Sequence, residues 1–263
     1  MVEAIPAVLR GLIDDAALFP PGNAPLEAAV PAHRGYRQSW FAPMIGPLLV
    51  PQSRLGDLHP REELRIGVIV DGDLERVPAD VAALDPRVTV AHYESRHPLD
   101  RLAEHAPAWG RPVYAEIPFD EAAVEAVRPT GFTPKFRTGG LTAEAFPPPE
   151  ALAAAIRACR RGGLHFKLTA GLHNAVRHRD PRTGFDHHGF LNVLVAVDEA
   201  ESNASLDQVT ETLASTDAEG LAARAKRFLH RPRALWTAYG SCSVDEPIDD
   251  LIALGLLHRG EQS

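Results

Sequence analysis

The chain carries 27 lysine and arginine residues, but only three are lysines: Lys135, Lys167 and Lys226. An amine can shed its proton and attack a carbonyl, which a guanidinium effectively cannot do. In so arginine-rich a composition the lysines are the first place to look for nucleophilic chemistry. Two of them stand in equivalent segments, Phe132-Thr-Pro-Lys-Phe-Arg-Thr-Gly-Gly140 and Leu164-His-Phe-Lys-Leu-Thr-Ala-Gly171. Each reads as a strand that ends in a glycine turn. Alternation puts Thr133, Lys135 and Arg137 on one face of the first, opposite Phe132 and Phe136. In the second, His165, Lys167 and Thr169 share a face opposite Phe166 and Leu168. With the apolar faces packed on helices, the polar faces turn inward. Two ammonium groups on neighbouring strands are then expected to depress one pKa, which makes a nucleophilic lysine. The plainer reading is a structural ion pair with an acid such as Glu116.

A third segment, Ala238-Tyr-Gly-Ser-Cys-Ser-Val-Asp-Glu-Pro247, precedes a helical pattern. Its Gly240, Ser241, Cys242 and Ser243 would offer free N–H groups to an anion, with Gly139, Gly140 and Gly171 adding close backbone approach. Ser243 followed by Glu246 also reads as a capping box, a role compatible with the first. Cys159, in an alanine-rich helical pattern, reads as core, whereas Cys242 is placed nearer chemistry. Four histidines, His173, His178, His187 and His188, crowd the stretch after Gly171 with Asp180 and Asp186. Imidazole and carboxylate together suit a divalent metal, so a centre built from His173, His187 and His188 is the competing constellation. It has no strong metal-binding motif, and adjacent His187 and His188 cannot both face one centre from a regular strand. Otherwise this is a substrate-binding or solvated loop, leading through Gly189 into a helix from Phe190.

The elements that must position these groups alternate along the chain. Strands are expected near 12–17, 46–50, 64–70, 88–93, 112–117, 132–137, 164–169 and 234–239, with helices clearest at 148–161 and 246–256. Leu152, Ile156 and Cys159 share one face of the first of these helices. Alternating strands and helices predict a parallel sheet, and eight such units predict a single (β/α)8 barrel of the TIM type over 1–263. The interval 170–233 is too long for a loop and is expected to hold two or three helices. Its length of 263 residues fits one such barrel, and two cysteines give no disulfide framework. A formal net charge of −8 argues against a general nucleic-acid partner. The sequence shows no bilayer-spanning run and no signal-peptide pattern, so a cytoplasmic protein is expected, as a possible homo-oligomer.

Together the strand-end motifs resemble those of the class I deoxyribose-phosphate aldolases, TIM barrels that form a Schiff base with substrate. That family ends its sixth strand Lys-Thr-Ser-Thr-Gly, its seventh Lys-Ala-Ser-Gly-Gly and its eighth Gly-Thr/Ala-Ser-Ser. Lys135-Phe-Arg-Thr-Gly139, Lys167-Leu-Thr-Ala-Gly171 and Gly240-Ser-Cys-Ser243 are similar, and Leu12-Ile-Asp-Asp-Ala-Ala-Leu18 resembles its Leu-Ile-Asp-His-Thr-x-Leu. The resemblance implies Lys135 as the Schiff-base lysine, Lys167 as its pKa-lowering neighbour and Asp14 in the hydrogen-bond network. It also implies Gly171, Gly240 and Ser241 in a phosphate site. Departures are specific. Val88-Thr-Val-Ala-His-Tyr-Glu94 lacks the family's fourth-strand aspartate, leaving His92 or Glu94 as substitutes. Arg137 replaces a small residue, and His173 enters the phosphate-facing turn, which points to a different substrate, such as a carboxylate. The Leu-Ile-Asp-x-Ala-x-Leu-Phe-Pro-Pro and Gly-Ser-Cys-Ser-x-x-Glu-Pro motifs also resemble an uncharacterised bacterial family, which supplies no activity.

The expectation is therefore a Schiff-base aldolase-like lyase for a small anionic carbonyl compound, needing no cofactor. Lys135, Lys167, Glu116, Asp14 and His173 are its catalytic set. Arg137, Thr138, Gly139, Gly140, Thr169, Gly171, Gly240, Ser241, Cys242 and Ser243 are its substrate-binding set. The alternatives are a metal-dependent hydrolase, isomerase or class II-type aldolase, and a barrel that binds a ligand without catalysis. Whether Asp14 or its neighbour Asp15 faces inward is left open.

Overall fold

In a computed structural model, described over residues 4–259, eight parallel strands close into a barrel. In chain order they are β1 (Ile13–Asp15), β2 (Ile45–Pro51), β3 (Leu64–Val70), β4 (Val88–Ser95), β5 (Val113–Glu116), β6 (Thr133–Arg137), β7 (Phe166–Thr169) and, after a short hairpin, β10 (Trp236–Ser241). The barrel order is β1-β10-β7-β6-β5-β4-β3-β2. This is the TIM-type (β/α)8 barrel expected from the alternating pattern. Helices α1 (Leu26–Gln38), α2 (Val77–Ala82), α3 (Leu99–His105), α4 (Glu121–Val127) and α5 (Pro149–Gly162) link successive strands, with only a 3-10 turn at Gln52–Asp57 between β2 and β3.

Helix α5 shows how the sequence makes an element and aims it. Pro149 sits in its first turn, where its missing N–H costs nothing. Gly163 ends it with φ of 65°, closing onto the carbonyls of Cys159 and Arg160. Between them Leu152, Ile156 and Cys159 fall on one buried face, as their spacing predicts. The interval between β7 and β10 holds α6 (Phe190–Glu201), α7 (Leu206–Ala214) and α8 (Ala218–Ala225), within the two or three helices expected. It also holds a hairpin that the sequence did not announce, β8 (His178–Arg179) on β9 (Asp186–His187). The last helix, α9 (Asp245–Ala253), follows β10. Among the described residues no helix is long and apolar enough to cross a membrane.

The two ends of the barrel differ. At the N-terminal end, Arg233 lies under the closure and donates to the carbonyls of Arg10 at 3.1 Å, Gly11 at 3.2 Å and Trp236 at 2.6 Å, and to those of Val8 and Thr237. Burial lowers its pKa to about 10. The C-terminal strand ends face the other way, and the chemistry-bearing side chains gather toward them.

Candidate active site

Strand alternation decides between the two aspartates. Asp14 points into the barrel, while Asp15 points outward to a buried ion pair with His33 of α1 (Oδ2 to Nδ1, 3.0 Å) and accepts the amide of Ala17. Lys135 and Lys167 are direct register partners on β6 and β7, as are Arg137 and Thr169 one pleat further on. Phe136, Phe166 and Leu168 are fully buried on the opposite faces.

Inside the barrel the charges alternate along a ladder. The Lys167 ammonium meets Asp14 and lies 2.6 Å from Glu94 Oε1. The other oxygen of Glu94 is 2.7 Å from Lys135, whose Nζ is also 3.0 Å from Glu116. Glu116 in turn takes Arg137 Nε at 2.8 Å and a second guanidinium nitrogen at 3.3 Å. The sequence Asp14, Lys167, Glu94, Lys135, Glu116, Arg137 thus balances three carboxylates against three cations from the barrel interior to its mouth. Exposure rises along it: the Lys167 side chain is at 0%, Lys135 at 4%, Glu116 at 15% and Arg137 at 44%. Lys135 is the ladder lysine nearer the mouth, although its side chain is also almost fully buried.

The second ammonium expected beside Lys135 is itself locked among carboxylates. Burial alone would lower the Lys167 pKa, but the carboxylates of Asp14 and Glu94 outweigh it and hold that lysine above its ordinary value. Burial would raise Glu94, yet Lys135, Lys167 and His92 together hold it well below the carboxylate range. Glu116 is likewise lowered, with Lys135 and Arg137 overcoming its burial. The two lysines do not confront each other because Glu94 stands between them. Lys167 is a fixed cation, not a depressed amine.

The floor beneath the ladder is aromatic and tightly fitted. The Tyr114 ring lies 5.1 Å below the Lys167 ammonium, and His92 meets that ring edge-on at 4.9 Å. His92 Nε2 is 3.0 Å from Glu94 and 3.4 Å from Lys167 Nζ. Space for these side chains comes from glycines on β2 and β3. A Cβ on Gly46 would collide with the Asp14 carboxylate, and one on Gly67 with the His92 ring.

Among the described residues the group whose ligand atoms converge is Asp14, His92 and Glu94, not the histidines after β7. Those three side chains are the ones that surround the Lys167 ammonium, so they already hold a cation. The alternative centre of His173, His187 and His188 does not assemble. His173 Nδ1 pairs with Glu246 at 3.1 Å, His187 packs its ring at a tilt against Phe146 and His178, and His188 is buried with Nε2 on the Pro147 carbonyl at 2.8 Å. His173 makes none of these contacts with the ladder; its other neighbour is the Cys242 sulfur, 3.7 Å from Nε2. Burial raises the Cys242 thiol.

The hydroxyls of the strand-end turns bind the turns themselves. Thr138 is fully buried and donates to the Ala170 carbonyl at 2.6 Å, so it staples β6 to β7 and does not face a substrate. Ser241 donates to the Ser243 carbonyl at 2.6 Å, and Ser243 accepts the Glu246 amide at 3.3 Å, the cap half of the expected capping box. The Glu246 side chain goes to His173 instead. Gly139 and Gly171 are needed for packing: a Cβ on the first would stand 2.7 Å from the Gly171 Cα. Gly140 is crowded in the same way by Ala145, and Gly240 faces the Thr169 hydroxyl across 3.4 Å from where a Cβ would sit.

No protein-family model matches the chain, and no curated protein sequence matches it. Solved structures do. Dihydropteroate synthase of Xanthomonas albilineans, in complex with indole-2-carboxylic acid and 6-chloroguanine, aligns over 94% of this chain and 92% of its own at 14% identity, with a TM-score of 0.40. The same enzyme with 7,8-dihydropteroate gives the same coverage and identity with a TM-score of 0.39. So distant a likeness carries no argument about this chain.

Several site residues were outside the sequence-derived set. Glu94 and His92 were named only as stand-ins for an absent aspartate, and Glu94 is the hinge of the ladder. Tyr114 could have been found from the same alternation that places Glu116 inward two residues later. Gly46 and Gly67 carry no signal in one sequence, because their value lies in what a neighbouring strand projects toward them.

Proposed function

We propose that this protein is a carbon–carbon lyase of the Schiff-base type acting on a small anionic carbonyl compound, with Lys135 as its nucleophile. The observation that supports this most is the pairing of a fully buried, charged lysine with one nearer the barrel mouth, at equal register, through one shared carboxylate. Lys135 has carboxylates on both sides, so its proton has an acceptor at hand when a carbonyl approaches. The amine adds to the carbonyl carbon, and the proton it sheds passes to Glu116, which holds a proton more readily once the Lys135 charge that depresses it is gone. The carbinolamine oxygen then takes a proton back and leaves as water, giving an iminium on Nζ. As a carboxylate takes the β-hydroxyl proton, the iminium draws electrons from the Cα–Cβ bond, which breaks to an enamine on Nζ and a released carbonyl fragment; the enamine then takes a proton at carbon and water hydrolyses the iminium to free the amine. Lys167 keeps its charge throughout and holds Glu94 oriented, while the interior excludes water. The aldolase resemblance of the strand-end motifs points the same way.

The test is borohydride trapping with a panel of small aldehydes and oxo acids, read by intact mass and peptide mapping. An adduct on Lys135 that is absent from Lys135→Arg is the expected result. No adduct on any lysine, with stoichiometric divalent metal bound and lost on His92→Ala, would overturn the proposal in favour of metal chemistry at Asp14, His92 and Glu94.

A further inference from the structure

A cavity of about 340 Å³ opens among the loops that follow β4, β5 and β6, lined by Arg96, Glu116, Phe119, Arg137, Glu144 and Pro147 among others. Its volume is at the small end of ligand sites, which run from about 300 to 1,000 Å³. Glu116 belongs both to this wall and to the ladder, so the cavity is one carboxylate away from the Lys135 amine. Ile117, Pro118, Phe119, Ala145 and Pro147 give it apolar sides that suit a short carbon chain. Its charges are unevenly satisfied. Glu116 is taken by Lys135 and Arg137, and Glu144 by its own turn through Thr142 and a backbone amide. Arg96, the residue after β4, is exposed and has no carboxylate partner among the described residues.

We infer that this cavity is the specificity pocket, and that Arg96, with the outer edge of Arg137, binds a carboxylate of the substrate. The inference rests on the Schiff-base reading and narrows its substrate class to short oxo acids, with the carbonyl at Lys135 and the acid at the far end. A guanidinium takes a carboxylate through two parallel N–H donors, which fixes orientation as well as charge. The placement differs from the anion site expected at the glycine and serine turns, whose hydroxyls are used internally.

The experiment measures half-saturation for borohydride trapping with 4-oxobutanoate and with butanal, a pair matched in chain length. Wild type, Arg96→Gln and Arg96→Lys are compared, with circular dichroism as the folding control. The oxo acid should saturate at about a tenfold lower concentration than the aldehyde, the equivalent of roughly 1.4 kcal/mol. Arg96→Gln should bring that ratio close to one, and Arg96→Lys should fall between. Equal saturation by the two probes, or a ratio indifferent to Arg96→Gln, overturns the pocket while leaving the reactive lysine in place. If neither probe is trapped, calorimetry with succinate decides separately: binding weakened about tenfold by Arg96→Gln supports the pocket, and no binding to wild type overturns it.

Discussion

Lys135 and Lys167 occupy the same level of adjacent strands, and each takes a different oxygen of the Glu94 carboxylate. Two like charges are tolerated there because the carboxylate between them carries the opposite charge to both. Glu94→Gln keeps the shape and removes the charge. It should cost about 3–5 kcal/mol in denaturant unfolding at pH 7, the usual result of breaking a buried pair from one side. Adding Lys167→Met should recover part of the loss through restored balance. A single-variant cost below about 1 kcal/mol would mean the shared carboxylate is not holding the pair.

The three lysines should differ in reactivity. Lys226 is exposed, Lys135 is nearly sealed and Lys167 is completely sealed with its pKa raised by Asp14 and Glu94 against its burial. Acetic anhydride labelling at pH 9, followed by peptide mass spectrometry, should modify Lys226 first and Lys167 last. Early labelling of Lys167 would contradict the fixed-cation role.

Gly67 makes room for His92. In Gly67→Ala the new methyl meets the imidazole and comes within 2.7 Å of Leu49 Cδ2, so overpacking should cost about 1–3 kcal/mol and displace the ring from Glu94. Gly56→Ala is the control, since a Cβ there meets nothing within 4 Å. Thermal denaturation and the His92 imidazole resonances report both effects, and equal stability of the two variants would count against the fit described.

His188 ties stability to acid pH. Burial lowers its pKa to about 4, and in the unfolded chain it returns to about 6.5. The unfolded state therefore binds the proton first, and stability falls as pH drops from about 6.5 through 4, with no contribution above that window. His188→Gln can keep a donor on the Pro147 carbonyl without titrating. Wild type should lose about 3 kcal/mol more than the variant between pH 6.5 and pH 4. Parallel stability curves would refute this linkage.

The barrel was legible because its signals are local: apolar strands, α5 with its proline start and glycine stop, and the matched segments around Lys135 and Lys167. Strand alternation correctly sent both lysines inward and left only the Asp14–Asp15 choice open. What could not be read was the pairing across the interior. Glu94 meets both lysines through space set by strand order and register, and the sign of the Lys167 shift depends on that meeting. The histidine cluster misled for the opposite reason. Closeness in sequence placed His173, His187 and His188 together, while the β8–β9 hairpin turns each to a separate partner. The strand-end turns are expected to offer free N–H groups, yet loops at a barrel mouth first satisfy their own backbone groups, as the Ser243 amide does on the Ser241 hydroxyl.

Asp14 and Lys167 lie 153 residues apart, on the two strands that flank β10, the last strand of the barrel. A nascent chain that has not yet reached Trp236 owns every charged member of the ladder but no enclosure to bring them together. Its lysines are then ordinary solvated amines. The ladder that ends at Asp14 is thus a property of the closed barrel, in which β10 joins β7 to β1. A chain without β10 therefore leaves Lys167 without the Asp14 carboxylate that balances it.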